Sequence, residues 1–170
     1  EQGVKQVKFV DRTFNVLPDH YREIWRFLAA ADTETNFHFE IVADLLTPAE
    51  VEWLAQVSPG RFQFEIGVQS LCEPTLKAIG RNNTWDRIRG NVRKLQRAGN
   101  IHLHLDLIIG LPEEDLESFR DSFNAVYSLQ PAMLQVGFLK LLPGTRIRRD
   151  AAQYGYIWLD HTPYEIFANP

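Results

Sequence analysis

Gln69, Ser70 and Arg81 are the side chains whose types and spacing first suggest chemistry. Gln69 and Ser70 follow Phe62 to Val68, a short apolar run that reads as a buried strand, and Ile79-Gly80 closes the helical segment before Arg81. In a sheet of strand-helix repeats such strand ends converge on one rim, where ligands bind. An amide, a hydroxyl and a guanidinium gathered there suit a sugar hydroxyl and a carboxylate. The plainer alternative is a polar turn facing water. A second group, His102, His104 and Asp106, shares one face of a later strand. Spacing of two sets such neighbours about 6 to 7 Å apart, so at most two could share one ion. Polar lining of an interior is the simpler reading, and no metal site is assigned. Glu65 precedes its strand end by several residues and reads as the partner of an interior basic group. No catalytic residue is assigned.

The chain of 170 residues is long enough for one domain with a substantial core. A net charge of -4 gives no support for nucleic-acid or membrane-surface binding. Arg93, Lys94 and Arg97, and Arg146, Arg148 and Arg149, read as solvated helix faces. The single cysteine, Cys72, excludes an internal disulfide and points to a reducing, cytoplasmic setting. One thiol cannot by itself hold an iron-sulfur cluster or a structural zinc. No apolar run approaches the roughly 20 residues of a membrane helix. The start at Glu1, with a strand a few residues in, and the end at Pro170 read as a piece of something longer.

The elements that must position these residues alternate along the chain. Strands are expected at Lys5 to Val10, Phe37 to Ala43, Phe62 to Val68, Ile101 to Ile109 and Met133 to Leu139. Helix starts lie at Pro18, at Thr47-Pro48-Ala49-Glu50 with its capping box, and at Thr84. A further helix follows Glu113, Glu114 and Asp115, with Leu116, Phe119, Phe123, Val126 and Tyr127 as its expected buried stripe. Gly99 suits a left-handed helix end. A last helix should run from Thr145 to about Tyr154. Strand-helix repeats imply a parallel sheet with right-handed crossovers. His38 and Glu40, like His104 and Asp106, put polar groups on one face, whereas an open sheet covered on both sides is apolar on both. The fold class is therefore α/β, a partial (β/α) TIM-like barrel over residues 1–155, with 156–170 an irregular extension.

Several pieces, in order, carry a family likeness: Phe39-Glu40, Glu65 to Ser70, Ile79-Gly80-Arg81, Asp106 to Pro112, and Leu142-Pro143-Gly144-Thr145. Together they resemble the radical S-adenosylmethionine superfamily, in the branch of oxygen-independent coproporphyrinogen oxidases and cobalamin-binding Fe-S oxidoreductases. Asp106 to Glu113 resembles the family's G-x-I-x-G-x-x-E signature, with Asp106 in place of the first glycine. The resemblance implies that the five strands are the second to sixth of a six-stranded arc. It implies S-adenosylmethionine at the rim: Glu40 on its ammonium, Arg81 on its carboxylate, Gln69 and Asp106 on the ribose, Gly110 beside the adenine, and Ser70 close by. Asp11 or Asn15 would take the place of the family's glycine-rich contact to the amino group. The C-x-x-x-C-x-x-C loop is absent, so the ligands of a 4Fe-4S cluster would lie outside this chain. The full-length enzyme would generate a 5′-deoxyadenosyl radical that attacks a small-molecule substrate, with cobalamin in an upstream domain as a further expectation. An arc lacking its first strand leaves an edge through which the chain would self-associate. Two other readings stay open: a metal-dependent barrel hydrolase or aldolase using His102, His104, Glu40 and Asp106, and a non-catalytic barrel that binds a nucleotide-like ligand or a partner protein.

Overall fold

Alternation along each strand decides which side faces the helices. In the computed structural model, which describes residues 3–168, five strands form one sheet. They are β1 (Gln6–Lys8), β2 (Asn36–Ile41), β3 (Phe62–Gln69), β4 (His102–Ile109) and β5 (Met133–Phe138). Every neighbouring pair is parallel, and spatial order equals chain order. A doubly wound sheet reverses its order at a switch point. This one does not, which makes it the arc of a barrel. Glu1, Gln2, Asn169 and Pro170, assigned above to the barrel and the extension, lie outside the described residues.

The helices α1 (Pro18–Ala30), α2 (Pro48–Leu54), α3 (Glu73–Ala78), α4 (Trp85–Ala98), α5 (Leu116–Tyr127) and α6 (Arg146–Arg149) connect the strands. Their starts follow the expected chemistry. Pro18 opens α1, and Thr47 and Glu50 close a reciprocal capping box on α2. Glu50 also accepts from Tyr21 and Arg22, so α1 and α2 share one buried carboxylate. Burial acts upward on Glu50, but its hydrogen bonds from Tyr21, Thr47 and Arg22 outweigh it and hold its pKa at about 2. Gly99, at φ 68°, ends α4 in the left-handed region.

Between sheet and helices lies an aromatic core. Phe39, Phe62 and Phe64 are fully buried, with Trp25 from α1 stacked on Phe64 at 5.4 Å between centroids. Asn15, expected as a cofactor contact alongside Asp11, instead clamps this layer. Its amide donates to the Val42 carbonyl and accepts the Val42 N–H, both at 2.9 Å.

Three elements differ from the expectation. The stripe on α5 is shorter than expected: Val126 is buried and Phe119 and Phe123 pack on the core, but Leu116 is 83% and Tyr127 62% exposed, and Ser122 is buried too. Ser122 is drawn inward because its hydroxyl accepts the Leu71 N–H and donates to the Ser118 carbonyl, tying α5 to the loop after β3. The last helix is short, stopping at Arg149. The segment read as irregular carries an antiparallel ribbon, β6 (Ile157–Trp158) and β7 (Ile166–Ala168). It packs on a second small core of Leu141, Ala151 and Tyr156.

The packing separates two substitutions. Phe39→Ala should lower the unfolding free energy by about 3–5 kcal/mol, and Leu116→Ala by less than about 0.5 kcal/mol. Urea unfolding followed by circular dichroism measures both, and a large cost at Leu116 would contradict its exposure at the start of α5.

Candidate functional site

The face of the sheet turned away from the aromatic core is polar. Register places Glu40 beside Glu65, Glu65 beside His104, and Gly67 beside Asp106. Glu65, 16% exposed at its side chain, is the hub. Lys8 Nζ lies 3.0 Å from its carboxylate and 3.7 Å from that of Glu40, and His38 Nε2 stands 2.9 Å from Glu65. The expected basic partner of Glu65 is thus Lys8. His104 Nε2 sits 3.1 Å from Asp106 Oδ1. Both histidine contacts are close but off the line that a ring N–H bond requires.

Burial acts upward on Glu65, but the Lys8 hydrogen bond and charge, with the His104 and His38 rings, outweigh it and lower its pKa. Lys8 makes no such contact with Asp106, and its charge there is outweighed. Burial first, then the charges of Glu65 and Glu40, push it to about 7. Burial lowers His38 and His104, which favours their neutral forms.

Toward the strand ends this face opens into two adjoining cavities. The inner, about 50 Å³, is lined by Arg12, Glu40, Glu65, Gln69, Arg81 and Asp106 among others. The outer, about 370 Å³, shares Arg12, Gln69 and Arg81 with it and adds Ile108, Leu111, Leu139 and Ile147. Arg81 is held by one bond, Nη1 to the Gly67 carbonyl at 2.9 Å, which leaves its other N–H groups available. Gln69 occupies the left-handed region at φ 69° where the ladder slips against β4. Its amide folds back over Gly67, where a Cβ would sit 2.3 Å from Nε2, so a side chain at position 67 would displace the Gln69 amide from this place. Gln69 Oε1 is buried with no partner in the protein, an acceptor left for something else.

Glu40, Gln69, Arg81 and Asp106 are therefore brought together as the sequence suggested. Ser70 is not: it is fully buried, its hydroxyl donating to Glu114 and accepting the Cys72 N–H at 2.9 Å. Asp11 is exposed in the loop after β1 and outside the lining, whereas Arg12 reaches it. The sequence reading missed Arg12, although its place just past the first strand marks it as a rim residue. Gly110 lies at the edge of the outer cavity, between two of its lining residues in sequence terms, Ile108 and Leu111. Two larger cavities of about 660 and 670 Å³ differ in their lining: the first, against Cys72 and Tyr154, carries the carboxyl groups of Glu113, Glu114 and Asp115 and no basic side chain, and the second, against Lys77 and Trp85, touches Arg81 but none of Glu40, Gln69 and Asp106. Among the described residues no three His, Cys, Asp or Glu side chains are placed to hold a metal, which disfavours the hydrolase reading. Lys140 is exposed and faces solvent. No helix among the described residues is long and apolar enough to cross a membrane.

The chain belongs to the radical SAM superfamily, whose family model matches residues 1–126. It is 33% identical over 92 residues to the oxygen-independent coproporphyrinogen-III oxidase-like protein HemZ of Bacillus subtilis, covering 54% of this chain and 18% of that protein. It is 27% identical to the oxygen-independent coproporphyrinogen III oxidase of Pseudomonas aeruginosa, covering 95% of this chain and 41% of the relative. The chain thus spans less than half of these relatives. The fold is shared with the radical S-adenosylmethionine methyltransferase TsrM of Kitasatospora setae, solved with cobalamin and a 4Fe-4S cluster bound. That match has a TM-score of 0.78 at 18% identity, over 95% of this chain and 34% of TsrM. It is also shared with coproporphyrinogen III oxidase HemN of Escherichia coli, at a TM-score of 0.68 and 21% identity, over 82% and 33% of the two chains.

The raised Asp106 predicts a pH dependence with a definite sign. A carboxyl group held at about 7 in the fold and near 3.8 outside it stabilises fully only in acid, and that contribution is lost as pH rises toward 7. Asp106→Asn should remove a decline in unfolding free energy between about pH 4 and 7, on the order of a few kcal/mol. Urea unfolding across that range measures it, and an identical slope in the variant would contradict the assignment.

Proposed function

We propose that the rim of this chain binds S-adenosylmethionine, and that the full-length enzyme uses it in radical oxidoreductase chemistry on a small-molecule substrate. One observation carries the reading: Arg81, Gln69, Asp106 and Glu40 converge on a single cavity in which Gln69 Oε1 has no protein partner. The residues fit the ligand. A guanidinium with free N–H groups takes a carboxylate in a fork. Its positive charge persists despite burial, because arginine does not give up its proton in proteins. The Glu40 carboxylate, 32% exposed, meets an ammonium. Asp106, poised near 7, and the Gln69 carbonyl accept from ribose hydroxyls. The outer cavity, walled by Ile108, Leu111 and Leu139, suits the flat face of an adenine, with the backbone at Gly110 beside it.

Once bound beside a reduced cluster, S-adenosylmethionine supplies hydrogen-abstracting radical chemistry. The chain's own residues bind it and fix its orientation. They do not fit the 4Fe-4S cluster, since Cys72 is the one thiol and packs toward the Glu113 carbonyl. The cluster's ligands would come from residues beyond this sequence. The likeness in fold to TsrM supports a cobalamin-binding domain upstream, and the single free cysteine supports a cytoplasmic setting. The unpaired edge of β1 supports self-association of the isolated chain. Nothing in the charge balance supports a nucleic-acid or membrane partner.

Calorimetry of S-adenosylhomocysteine on the chain tests the site. Arg81→Ala should weaken binding about ten- to hundredfold, and Asp106→Asn about threefold or more. Wild-type affinity in both variants would overturn the assignment.

A further inference from the structure

The outer cavity is not walled by the barrel alone. Leu139 and Ile147, two of its lining residues, pack on the small second core of Leu141, Ala151 and Tyr156. That core stands on residues 141–166, the turn and short helix after β5 together with the ribbon. One hydrogen bond joins it to the turn after β4: Tyr156 Oη donates to the Gly110 carbonyl at 2.8 Å. Tyr156 is 5% exposed, and burial pushes its phenol well above the ordinary range, so it remains a donor.

Gly110 stands at φ 87°, where glycine has no steric penalty and the chain is otherwise free to turn. A Cβ there would come 3.9 Å from Leu139, so the turn lies directly against the cavity wall. The Gly110–Leu111 peptide is trans, since the cis bond among the described residues is Thr162–Pro163. In a trans peptide the N–H points opposite to the carbonyl. Directing the Gly110 carbonyl at Tyr156 therefore turns the Leu111 N–H away from Tyr156. It also fixes the backbone of Leu111, itself 3% exposed and part of the cavity lining.

We propose that Tyr156 is a positioning residue that sets the Gly110–Leu111 peptide and so shapes the subsite for the adenosine end of the ligand. It acts through Gly110 and touches no ligand itself. This inference rests on the S-adenosylmethionine reading of the rim. It makes the segment leading into the C-terminal ribbon a support of the binding site, and it separates the ligand's two ends: Arg81 governs the carboxylate, Tyr156 the nucleoside.

Two probes distinguish these ends, S-adenosylhomocysteine and 5′-methylthioadenosine, which lacks the amino-acid group. By calorimetry, Tyr156→Phe should weaken both by the same factor, about three- to tenfold. Arg81→Ala should weaken only S-adenosylhomocysteine. Tyr154→Phe, in the same small core with its ring 6.2 Å from that of Tyr156, should leave both affinities unchanged. Wild-type affinities in Tyr156→Phe, or an equal loss in Tyr154→Phe, would overturn the proposal while leaving the rim site standing. A wild-type chain that binds neither probe would overturn the rim reading and this one with it. Hydrogen exchange gives a measurement independent of any variant's folding. The Leu111 amide should exchange more slowly when 5′-methylthioadenosine is added, and an unchanged rate would count against the proposal.

Discussion

Glu65 lies on the middle strand with its carboxylate inside the arc, where a charge without partners costs several kcal/mol. Its compensation comes chiefly from another strand, Lys8 on β1 at 3.0 Å, with the His38 ring of β2 at 2.9 Å beside it. A one-residue slip of β3 would exchange its faces, driving Glu65 into the aromatic layer and Phe64 into the polar interior. The charge hub and the phenylalanine core therefore specify the same register from opposite sides. The ends of the strands, and so the rim, inherit their positions from that agreement.

The hub also determines the chemistry above it. Lys8 lies near Glu65 and Glu40 but has no such contact with Asp106, which is left facing two carboxylates in a buried place. Asp106 consequently holds its proton far more tightly than an ordinary aspartate. One residue position along the rim, Arg81 and Gln69 present the opposite situation, groups with hydrogen-bonding capacity the protein does not use up. In the proposed reading, such a site takes a ligand that carries both a carboxylate and neutral hydroxyls, in keeping with the membership of the chain in the radical SAM superfamily.

Much of this was legible in the sequence, because strand period, capping boxes and helix-ending glycines are local signals. The five strands appear in the expected order and places, the first cut to Gln6–Lys8 and the second ending at Ile41, and the capping box at Thr47 and Glu50 and the left-handed end at Gly99 appear where the residues place them. The convergence of Glu40, Gln69, Arg81 and Asp106 followed from the family likeness in their order along the chain. What failed depended on partners distant in sequence. Ser70 looked like a rim hydroxyl but is consumed by Glu114, 44 residues away. Asn15 looked available but is bound to Val42 across the layer. Ser122 joins the buried face of α5 because it satisfies the Leu71 N–H, a bond that hydrophobic periodicity does not reveal. The ribbon after Gly155 escaped notice because its strands are only two and three residues long.

The central claim is that the rim of the polar face is where the ligand lies. The most direct measurement is a crystal structure of the chain grown with S-adenosylhomocysteine. The account predicts the ligand's carboxylate on Arg81, its ribose between Gln69 and Asp106, and its adenine beside Gly110 and Leu111. Ligand density in the cavity between Cys72 and Tyr154, with the rim empty, would contradict it.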